Sequence, residues 1–425
     1  MSYRIALAAA LLLPALAVAG DLDEAVDAAA SQAIQYRHDI HSHPELSNRE
    51  TRTSKLVADH LRNLGLEVHT GIAHTGVLGI LKGGRPGPTV AIRADMDALP
   101  VKEQSGLPFA STVTSTYQGN TVPVDHACGH DIHTSVQMGV ATVLAGMRDE
   151  LPGTVLFVFQ PAEEGAPEGE EGGAKLMLKE NVFQGHEPDA MFALHSEPDL
   201  QVGQVGWLEK AAFASSDSYV VTIKGKQAHG AHPEESIDPI VTAAQAVLGL
   251  QTIVSRNINP TQPAVLTVGI IDGGQRMNII PSEVRLEGTV RTYDQGVRDQ
   301  IERRMHEVLD GITMSAGAEY SMQYNPYAPP TINDTGLSHW ARPVLEEAVG
   351  KDNVITREPE MGAEDFAHFA QRYPGFYFRL GVEDPEHPSG DVHTPTFRGD
   401  DGAIPVGIKA MSSLVIHYLK DHADG

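Results

Sequence analysis

TVLFVFQPAEE, residues 154–164, decides the fold of this 425-residue chain. Thr154–Phe159 is a short, mostly apolar run, as expected of a strand that is buried on both faces. Gln160-Pro161-Ala162-Glu163-Glu164 follows at once, so two adjacent carboxylates stand just past the predicted strand. The segment therefore predicts a core strand whose carboxyl end carries reactive side chains.

Two further runs share this pattern. Thr89–Arg93 leads into Ala94-Asp95-Met96-Asp97, and Ala190–Leu194 leads into His195. Helical stretches such as His133–Arg148 lie between the predicted strands, which indicates βαβ units and a mostly parallel sheet. Ligands of such sheets bind beyond the carboxyl ends of the strands. We therefore predict an α/β catalytic domain with its site at this edge of the sheet.

A different order of elements starts at about Ser216. Strand, helix, two strands, helix and strand follow one another, which is the split βαβ arrangement of a ferredoxin-like domain. These elements are predicted at Ser218–Lys224, Ile237–Val254, Ala264–Ile271, Ser282–Tyr293, Val297–Met314 and Glu319–Tyr324. The Pro-rich Asn325–Pro330 then marks a boundary. We expect residues 216–326 to form a small domain inserted between two parts of the catalytic domain, residues 20–215 and 327–425.

The segment after this boundary returns to the first pattern. Its predicted elements are the helices Gly336–Val349, Glu364–Gln371 and Gly402–Lys420 and the strand Phe376–Leu380. They complete the larger domain.

The amino terminus has the pattern of a secretory signal peptide. Arg4 precedes an apolar run of 15 residues, Ile5–Ala19, which ends in small residues before the acidic Gly20-Asp21. A bilayer span needs roughly 20 residues, and no later segment is long and apolar enough to supply one. We expect residues 1–19 to be removed and the protein to be exported, to a periplasm or to the medium. The alternative is a buried amino-terminal helix.

Charge and cysteine content exclude two classes of protein. The formal net charge of −25 becomes −26 when Arg4 is removed with the signal, so the basic surface of a nucleic-acid-binding protein is missing. A disulfide framework needs at least two cysteines, and this chain has one, Cys128. That thiol is either buried and inert or used for chemistry.

The segment Asp125–Asp131, DHACGHD, contains that cysteine. It places a thiol, two imidazoles and two carboxylates within seven residues, directly before a predicted helix. A thiolate and an imidazole two residues apart can reach one metal cluster. The alternatives are that Cys128 is a small core residue and that Asp131 with Thr134 caps the helix.

The residues at the other two strand ends also have alternative interpretations. Because side chains alternate along a strand, Glu163 and Glu164 should point in different directions, so one could ligate a metal while the other acts as general base. A solvated acidic loop is the alternative for this pair. For His195 the alternative is a hydrogen-bonded core histidine.

Seven segments, taken in order along the chain, resemble the M20 metallopeptidases, especially the branch of aminoacylases, hippurate hydrolases and auxin-conjugate hydrolases. They cover nearly all of the expected mature chain. The segments are HSHPEL (41–46), RADMDALP (93–100), HACGHD (126–131), QPAEEG (160–165), MNIIP (277–281), GAEDF (362–366) and VHTP (392–395).

The resemblance implies a site for two divalent ions. Its ligands would be Cys128, His130, Glu164, His195 and His393, with the thiolate of Cys128 as the bridge and Glu163 as the general base. The sequence Asp95-Met96-Asp97 stands where much of the family has His-x-Asp, and here His130 would supply the missing imidazole. We therefore interpret Asp97 as a carboxylate that orients a ligand.

The inserted segment carries three further residues of interest. QAHGAHP (227–233) resembles the family motif whose histidine, here His229, reaches the active site of a neighbouring subunit and could stabilise an oxyanion. Asn278 and Arg291 match family positions that hold the carbonyl and the free carboxylate of the substrate. Without the family, Arg291 could be an ordinary surface arginine. The resemblance thus implies a homodimer.

These interpretations favour a binuclear metal amidohydrolase acting on small N-acyl amino acids. The alternatives are a metallo-carboxypeptidase or dipeptidase of the same fold, acting on short peptides, and a non-catalytic binding protein for amino-acid-like ligands. The intact Glu163 favours an enzyme, and neither G-x-S-x-G nor H-E-x-x-H occurs in the chain. Thiolate and imidazole ligands favour zinc, whereas the carboxylates leave manganese, cobalt or nickel open.

Overall fold

The computed structural model describes the chain from residue 15 to residue 423, and its side chains from residue 22. Most of the expected signal segment, residues 1–14, therefore lies outside the described part. Among the residues that are described, no helix combines the length and the apolar character that a membrane crossing requires.

The elements alternate along most of the chain. The helices are α1 Ala15–His41, α2 Thr51–Asn63, α3 His130–Gly146, α4 Gly173–Lys179, α5 Pro239–Asn257, α6 Gln295–Ala316, α7 Thr335–Val349, α8 Ala367–Ala370 and α9 Ala403–Asp421. The first nine strands are β1 Glu67–Ile72, β2 Gly76–Lys82, β3 Arg85–Asp95, β4 Thr114–Tyr117, β5 Asn120–Pro123, β6 Pro152–Gln160, β7 Ala190–Gln201, β8 Val205–Trp207 and β9 Ala211–Phe213. The others are β10 Ser216–Lys224, β11 Ala228–His229, β12 Ala264–Asp272, β13 Ile279–Ile280, β14 Glu283–Thr292, β15 Glu319–Ala328, β16 Thr331–Ile332, β17 Val354–Thr356 and β18 Gly375–Glu383.

An eight-stranded sheet in the order β1-β2-β6-β3-β7-β18-β8-β17 forms the centre of the larger part. Its middle strands β6, β3, β7 and β18 run parallel, as the sequence predicts for this α/β fold. Asp95 and Gln160 are register partners, so β3 and β6 end side by side. The segments that follow them therefore meet at one edge of the sheet.

Both faces of this sheet are buried, which explains the apolar runs. Along β6, Val155, Phe157 and Phe159 pack into one apolar cluster with α1, α3, α7 and α9. Leu156 and Val158 point to the opposite face and pack in a second cluster, with residues of α4 and α8. A strand between two layers of helices needs apolar side chains at every position.

Strand β7 differs from the prediction, which ended it at Leu194. It continues to Gln201, because Ser196 and Glu197 stay paired with β18 and Gln201 pairs with Glu383 after a shift of register. His195 consequently lies inside the strand rather than beyond its end. The hairpin of β4 and β5 was also not predicted; Gln118 and Gly119, both with positive φ, form its turn.

The second large sheet has four antiparallel strands in the order β12-β14-β10-β15. Helices α5 and α6 pack on it through a separate apolar cluster that includes Val221, Leu250 and Leu309. Element order and sheet order are those of the predicted ferredoxin-like unit and are consistent with an inserted domain. Strand β12 lies at one edge of this sheet.

Candidate active site

The five residues that the resemblance implied as metal ligands lie together. Cys128 Sγ is 3.3 Å from His195 Nε2 and 3.3 Å from His393 Nε2. His393 Nε2 is in turn 3.0 Å from Glu164 Oε1. His130 completes the cluster, because its ligand atom lies within 4.8 Å of those of Cys128 and His195. Four separate parts of the chain thus converge on one sulfur atom.

The donor atoms of this cluster fit divalent cations. His130 donates from Nδ1 to the backbone carbonyl of Asp97 at 2.8 Å, which leaves a lone pair on Nε2. His195 likewise donates from Nδ1 to the Ser196 carbonyl at 2.7 Å. His130 Nε2 and Glu164 Oε1 are buried without a hydrogen-bond partner in the described part. Fixed tautomers and free, converging donor atoms are what a metal site requires.

The helix start at Gly129 brings Cys128 and His130 to the cluster. Gly129 has φ +84°, and a Cβ there would lie 2.2 Å from Ser196 Oγ, so only glycine fits. Burial, followed by the carboxylates of Glu164 and Glu163, raises the pKa of the Cys128 thiol well above its usual range. A bound cation is the partner that would hold a thiolate in these surroundings.

Asp97 connects the ligand cluster to the loop after β6. Its carboxylate accepts the backbone N–H groups of Glu163 and Glu164, each at 3.0 Å, and the Ser47 hydroxyl at 2.7 Å. Its backbone carbonyl accepts from His130, as described above. Asp97 thus contacts both the His130 imidazole and the backbone of Glu163 and Glu164, which places it to orient these side chains.

Glu163 lies beside the ligands with its carboxylate directed inward. Its Oε2 is 3.9 Å from His130 Nε2, and the residue is only 8 % exposed. The Asp365 backbone N–H approaches Oε1 at 3.4 Å, and the Tyr327 hydroxyl donates to the Glu163 carbonyl at 2.5 Å. Burial and the carboxylates of Glu364 and Glu164 raise the pKa of Glu163 well above its usual range. A solvated acidic loop is therefore excluded for this residue.

A buried ion-pair network under the site was missed in the sequence. Arg93 donates to Asp95 at 2.7 Å, to Glu364 at 2.8 Å and to Asp365 at 3.0 Å. His133 donates to Asp95 at 2.6 Å and accepts the Ser196 backbone N–H at 2.8 Å. The signal was available in part, since Arg93 and Asp95 alternate on one face of a predicted strand. Two members reach the site residues: Asp95 Oδ2 lies 3.8 Å from His130 Nε2, and the Asp365 backbone N–H approaches Glu163.

Asp131 does not cap α3, contrary to one alternative. The helix N-terminus has no side-chain cap. The Asp131 carboxylate instead accepts from Arg37 Nε at 3.2 Å and from His41 Nδ1 at 3.0 Å. Burial alone would lower the pKa of His41, but Asp131 and Glu103 raise it to about 9. Thr134, the other proposed capping residue, donates to the Asp95 carbonyl at 2.7 Å.

Two residues next to the site have left-handed backbone conformations that are unusual outside glycine. Ala162, which precedes Glu163, has φ 53°, and His393, a candidate ligand, has φ 64°. Such conformations cost free energy and persist where the surrounding contacts hold them. The His393 backbone N–H donates to the Ala127 carbonyl at 2.7 Å, which ties this loop to the cysteine segment.

The three residues expected to contact substrate lie apart from the cluster. His229 is exposed on β11, and the Gly230 N–H donates to the Asn278 carbonyl at 2.8 Å, so His229 and Asn278 share one small ribbon. Arg291 is half-buried on β14. Across residues 22–423, no hydrogen bond or ion pair joins these three side chains to the ligand cluster.

Comparison with known proteins gives a family match over most of the chain. Residues 91–417 match the model of Peptidase family M20/M25/M40. The N-acetylcysteine deacetylase of Bacillus subtilis is 38% identical over 393 residues, which are 92% of this chain and 97% of that protein. An IAA-amino acid hydrolase of Arabidopsis thaliana is 34% identical over 394 residues, 92% of this chain and 86% of the relative.

Similarity to a solved structure supports both the fold and the metal site. A dinuclear metal-binding M20 peptidase of Bacillus subtilis superimposes with a TM-score of 0.77 at 35% identity, and the match covers 93% of this chain and 99% of that one. Together with the ligand cluster found here, this supports a site for two divalent metal ions.

Proposed function

We propose that this chain, which belongs to the M20/M25/M40 peptidase family, hydrolyses the amide bond of small N-acyl amino acids. That it is a metal-dependent amide hydrolase follows from the family and its relatives. The names of two relatives describe removal of an acetyl group from cysteine and of IAA from an amino acid. Both substrates are an amino acid whose nitrogen carries an acyl group.

The position of Glu163 carries the proposal. A buried carboxylate stands 3.9 Å from a ligand nitrogen, held through its backbone by Asp97 and Tyr327. A protein that only binds ligands would have no need of such a group, because general-base catalysis requires a proton acceptor within reach of the reacting water. We therefore assign Glu163 as the base.

Metal binding and proton transfer would be carried out by different residues of the site. Cys128, His130, Glu164, His195 and His393 would hold two divalent ions, which supply Lewis acidity and an activated water. Glu163 takes a proton from that water as its oxygen bonds to the amide carbon. The same carboxyl group then gives the proton to the leaving nitrogen as the C–N bond breaks. One thiolate and three imidazoles favour zinc, and manganese, cobalt and nickel are the alternatives to test.

A small panel of substrates tests this proposal. Purified protein, loaded in turn with each of the four metals, is given acetyl, benzoyl and indole-acetyl amino acids and simple dipeptides. We expect turnover of at least one N-acyl amino acid, with Glu163→Gln protein as the control for contaminating activity. Turnover of dipeptides alone would assign the chain to the peptidases of this fold instead.

Arg291 and Asn278 would hold the α-carboxylate and the carbonyl of the substrate. Arg291 suits a carboxylate because its planar guanidinium donates two parallel hydrogen bonds. Since neither side chain contacts the ligand cluster, the proposal requires the inserted unit to approach the site, either from the same chain or from a second one.

A homodimer would provide that second chain. Of the eleven exposed large apolar side chains in the described part, nine belong to residues 216–326. Leu248 on α5 is 72% exposed, and Ile271 on the edge strand β12 is 61% exposed. An apolar edge strand with free backbone groups tends to pair with another strand. We therefore propose that β12 and α5 pair with their copies about a two-fold axis.

His229 provides the test of this arrangement. Inactive Glu163→Ala and inactive His229→Ala subunits are dissociated, mixed and reassociated. About half of the dimers should then be mixed, with one of their two sites intact, so activity should return to about a quarter of wild type. If mass measurements show mixed dimers and no activity returns, His229 does not act across the interface.

Export is also part of the proposal. Residues 1–19 have the order of a signal peptide, basic, apolar and then small. Sequencing the amino terminus of protein from the periplasm or medium should find Gly20 first; an intact Met1 would contradict export through this segment.

A further inference from the structure

One wall of the active-site pocket carries an arginine that the proposed chemistry does not use. Arg379 on β18 is the register partner of His195 on the neighbouring parallel strand β7. Paired residues of adjacent strands point to the same face of a sheet. Arg379 accordingly lines the pocket that also contains Cys128, Glu163 and His393.

Arg379 differs from the other buried arginines in its hydrogen bonding. Four arginines are buried in the described part of the chain, and three of them, Arg37, Arg93 and Arg298, donate to carboxylates. Arg379 is only 2 % exposed, yet its Nε and Nη2 have no hydrogen-bond partner there. A buried guanidinium stays charged, and leaving its donors unused is costly. An arginine with a structural role would use these donors.

Neighbouring side chains hold the guanidinium in place but do not accept hydrogen bonds from its Nε or Nη2. Its central carbon lies 3.9 Å from the centre of the Phe213 ring, so the group is stacked in place. Glu197 Oε2 is 3.7 Å from Nε and Glu360 Oε1 is 3.3 Å from Nη2, but neither pair has hydrogen-bond geometry. These two carboxylates offset the charge of Arg379 and leave its Nε and Nη2 without a hydrogen bond.

We propose that Arg379 binds a second carboxylate of the substrate, in addition to the α-carboxylate assigned to Arg291. The inference rests on the proposed function, because an N-acyl amino acid is the ligand whose amide bond would lie at the metals. A planar fork with two free donors matches a carboxylate in shape and charge. That carboxylate comes either from the amino-acid side chain, as in an N-acyl glutamate, or from a dicarboxylic acyl group, as in a succinyl amide.

Two matched pairs of substrates distinguish these sources. N-acetylglutamate is compared with N-acetylglutamine, and N-succinylalanine with N-butyrylalanine. We expect wild-type kcat/KM to favour the acidic member of one pair by about 30-fold or more, as for a buried charged pair. The pair that shows the preference identifies the source of the carboxylate. No preference in either pair would overturn the proposal without any need for a variant.

Substitution of Arg379 tests whether this residue causes the preference. Arg379→Gln should bring the ratio of acidic to neutral kcat/KM close to one, and Arg379→Lys, which keeps the charge without the fork, should give an intermediate ratio. Equal losses on both members of each pair would mean that Arg379 only balances Glu197 and Glu360 or binds the α-carboxylate. Arg342→Gln is the matched control, because Arg342 stacks on Trp207 at 4.7 Å outside the pocket.

Affinity measurements on an inactive variant test the role of Arg379 independently of the proposed function. Metal-loaded Glu163→Gln protein should not turn substrate over, so its affinity for N-acetylglutamate and N-acetylglutamine, and for the succinyl and butyryl pair, can be measured by calorimetry. Failure of the wild type to hydrolyse any N-acyl amino acid, these four and the earlier panel included, would overturn the proposed function. A preference for an acidic ligand, lost when Arg379→Gln is added, would still support the role of Arg379.

Discussion

Glu163→Gln is expected to reduce kcat by about 10²–10⁴-fold, the usual contribution of a general base. The amide has the shape of the carboxylate but does not accept the proton of the attacking water. The protein should still bind two metal ions, because none of the five proposed ligands has changed. Steady-state kinetics and elemental analysis of the same preparation provide the two measurements.

Glu164→Gln is the matched control, since the adjacent residue makes the same chemical change. Its Oε1 lies 3.0 Å from His393 Nε2 within the ligand cluster, so the substitution should lower metal content first and activity as a consequence. Added metal should restore part of the activity of Glu164→Gln and none of the activity of Glu163→Gln. The reverse pattern would mean that base and ligand have been exchanged.

Removal of the metal ions is expected to abolish activity completely. The mature protein should contain up to two divalent ions per chain, because five converging donors from one thiol, three imidazoles and one carboxylate have no other common partner. Metal content is measured after purification without added metal, and activity before and after treatment with a chelator.

Re-addition of each metal then distinguishes loss of the ion from loss of the fold. Activity that returns with zinc but not with manganese, cobalt or nickel would assign the native ion. Protein that contains no metal as isolated, and whose activity is unaffected by chelator, would contradict a metal-dependent mechanism in this chain.

The central strands were predictable because a strand between two helical layers must be apolar throughout. Val155–Phe159 shows this, since alternate residues pack on opposite faces of the sheet. The same reasoning placed Asp95 and Glu163 at one sheet edge, and the structure agrees. The extension of β7 beyond Leu194 was not predictable, because it depends on pairing with β18, about 180 residues later in the chain.

Contacts between distant segments were the main part that the sequence did not reveal. Arg93 and Glu364 are 271 residues apart, and only the order of strands brings them together. Arg379 is easier to recognise from the sequence, because it is a charged residue inside the apolar run Phe376–Leu380. A lone charge in a strand that is buried on both faces needs a partner, and this argument requires only the sequence.

The spacing of the metal ligands along the chain has a consequence for stability. Cys128 and His393 are separated by 265 residues, yet their ligand atoms lie 3.3 Å apart. A chain with one cysteine cannot form a disulfide bond within itself. Bound metal would nevertheless act as a cross-link through that sulfur, closing a loop that spans most of the protein and disfavouring the unfolded state. With metal bound, the proposed catalytic centre would therefore also stabilise the fold of a chain whose single cysteine allows no internal disulfide bond.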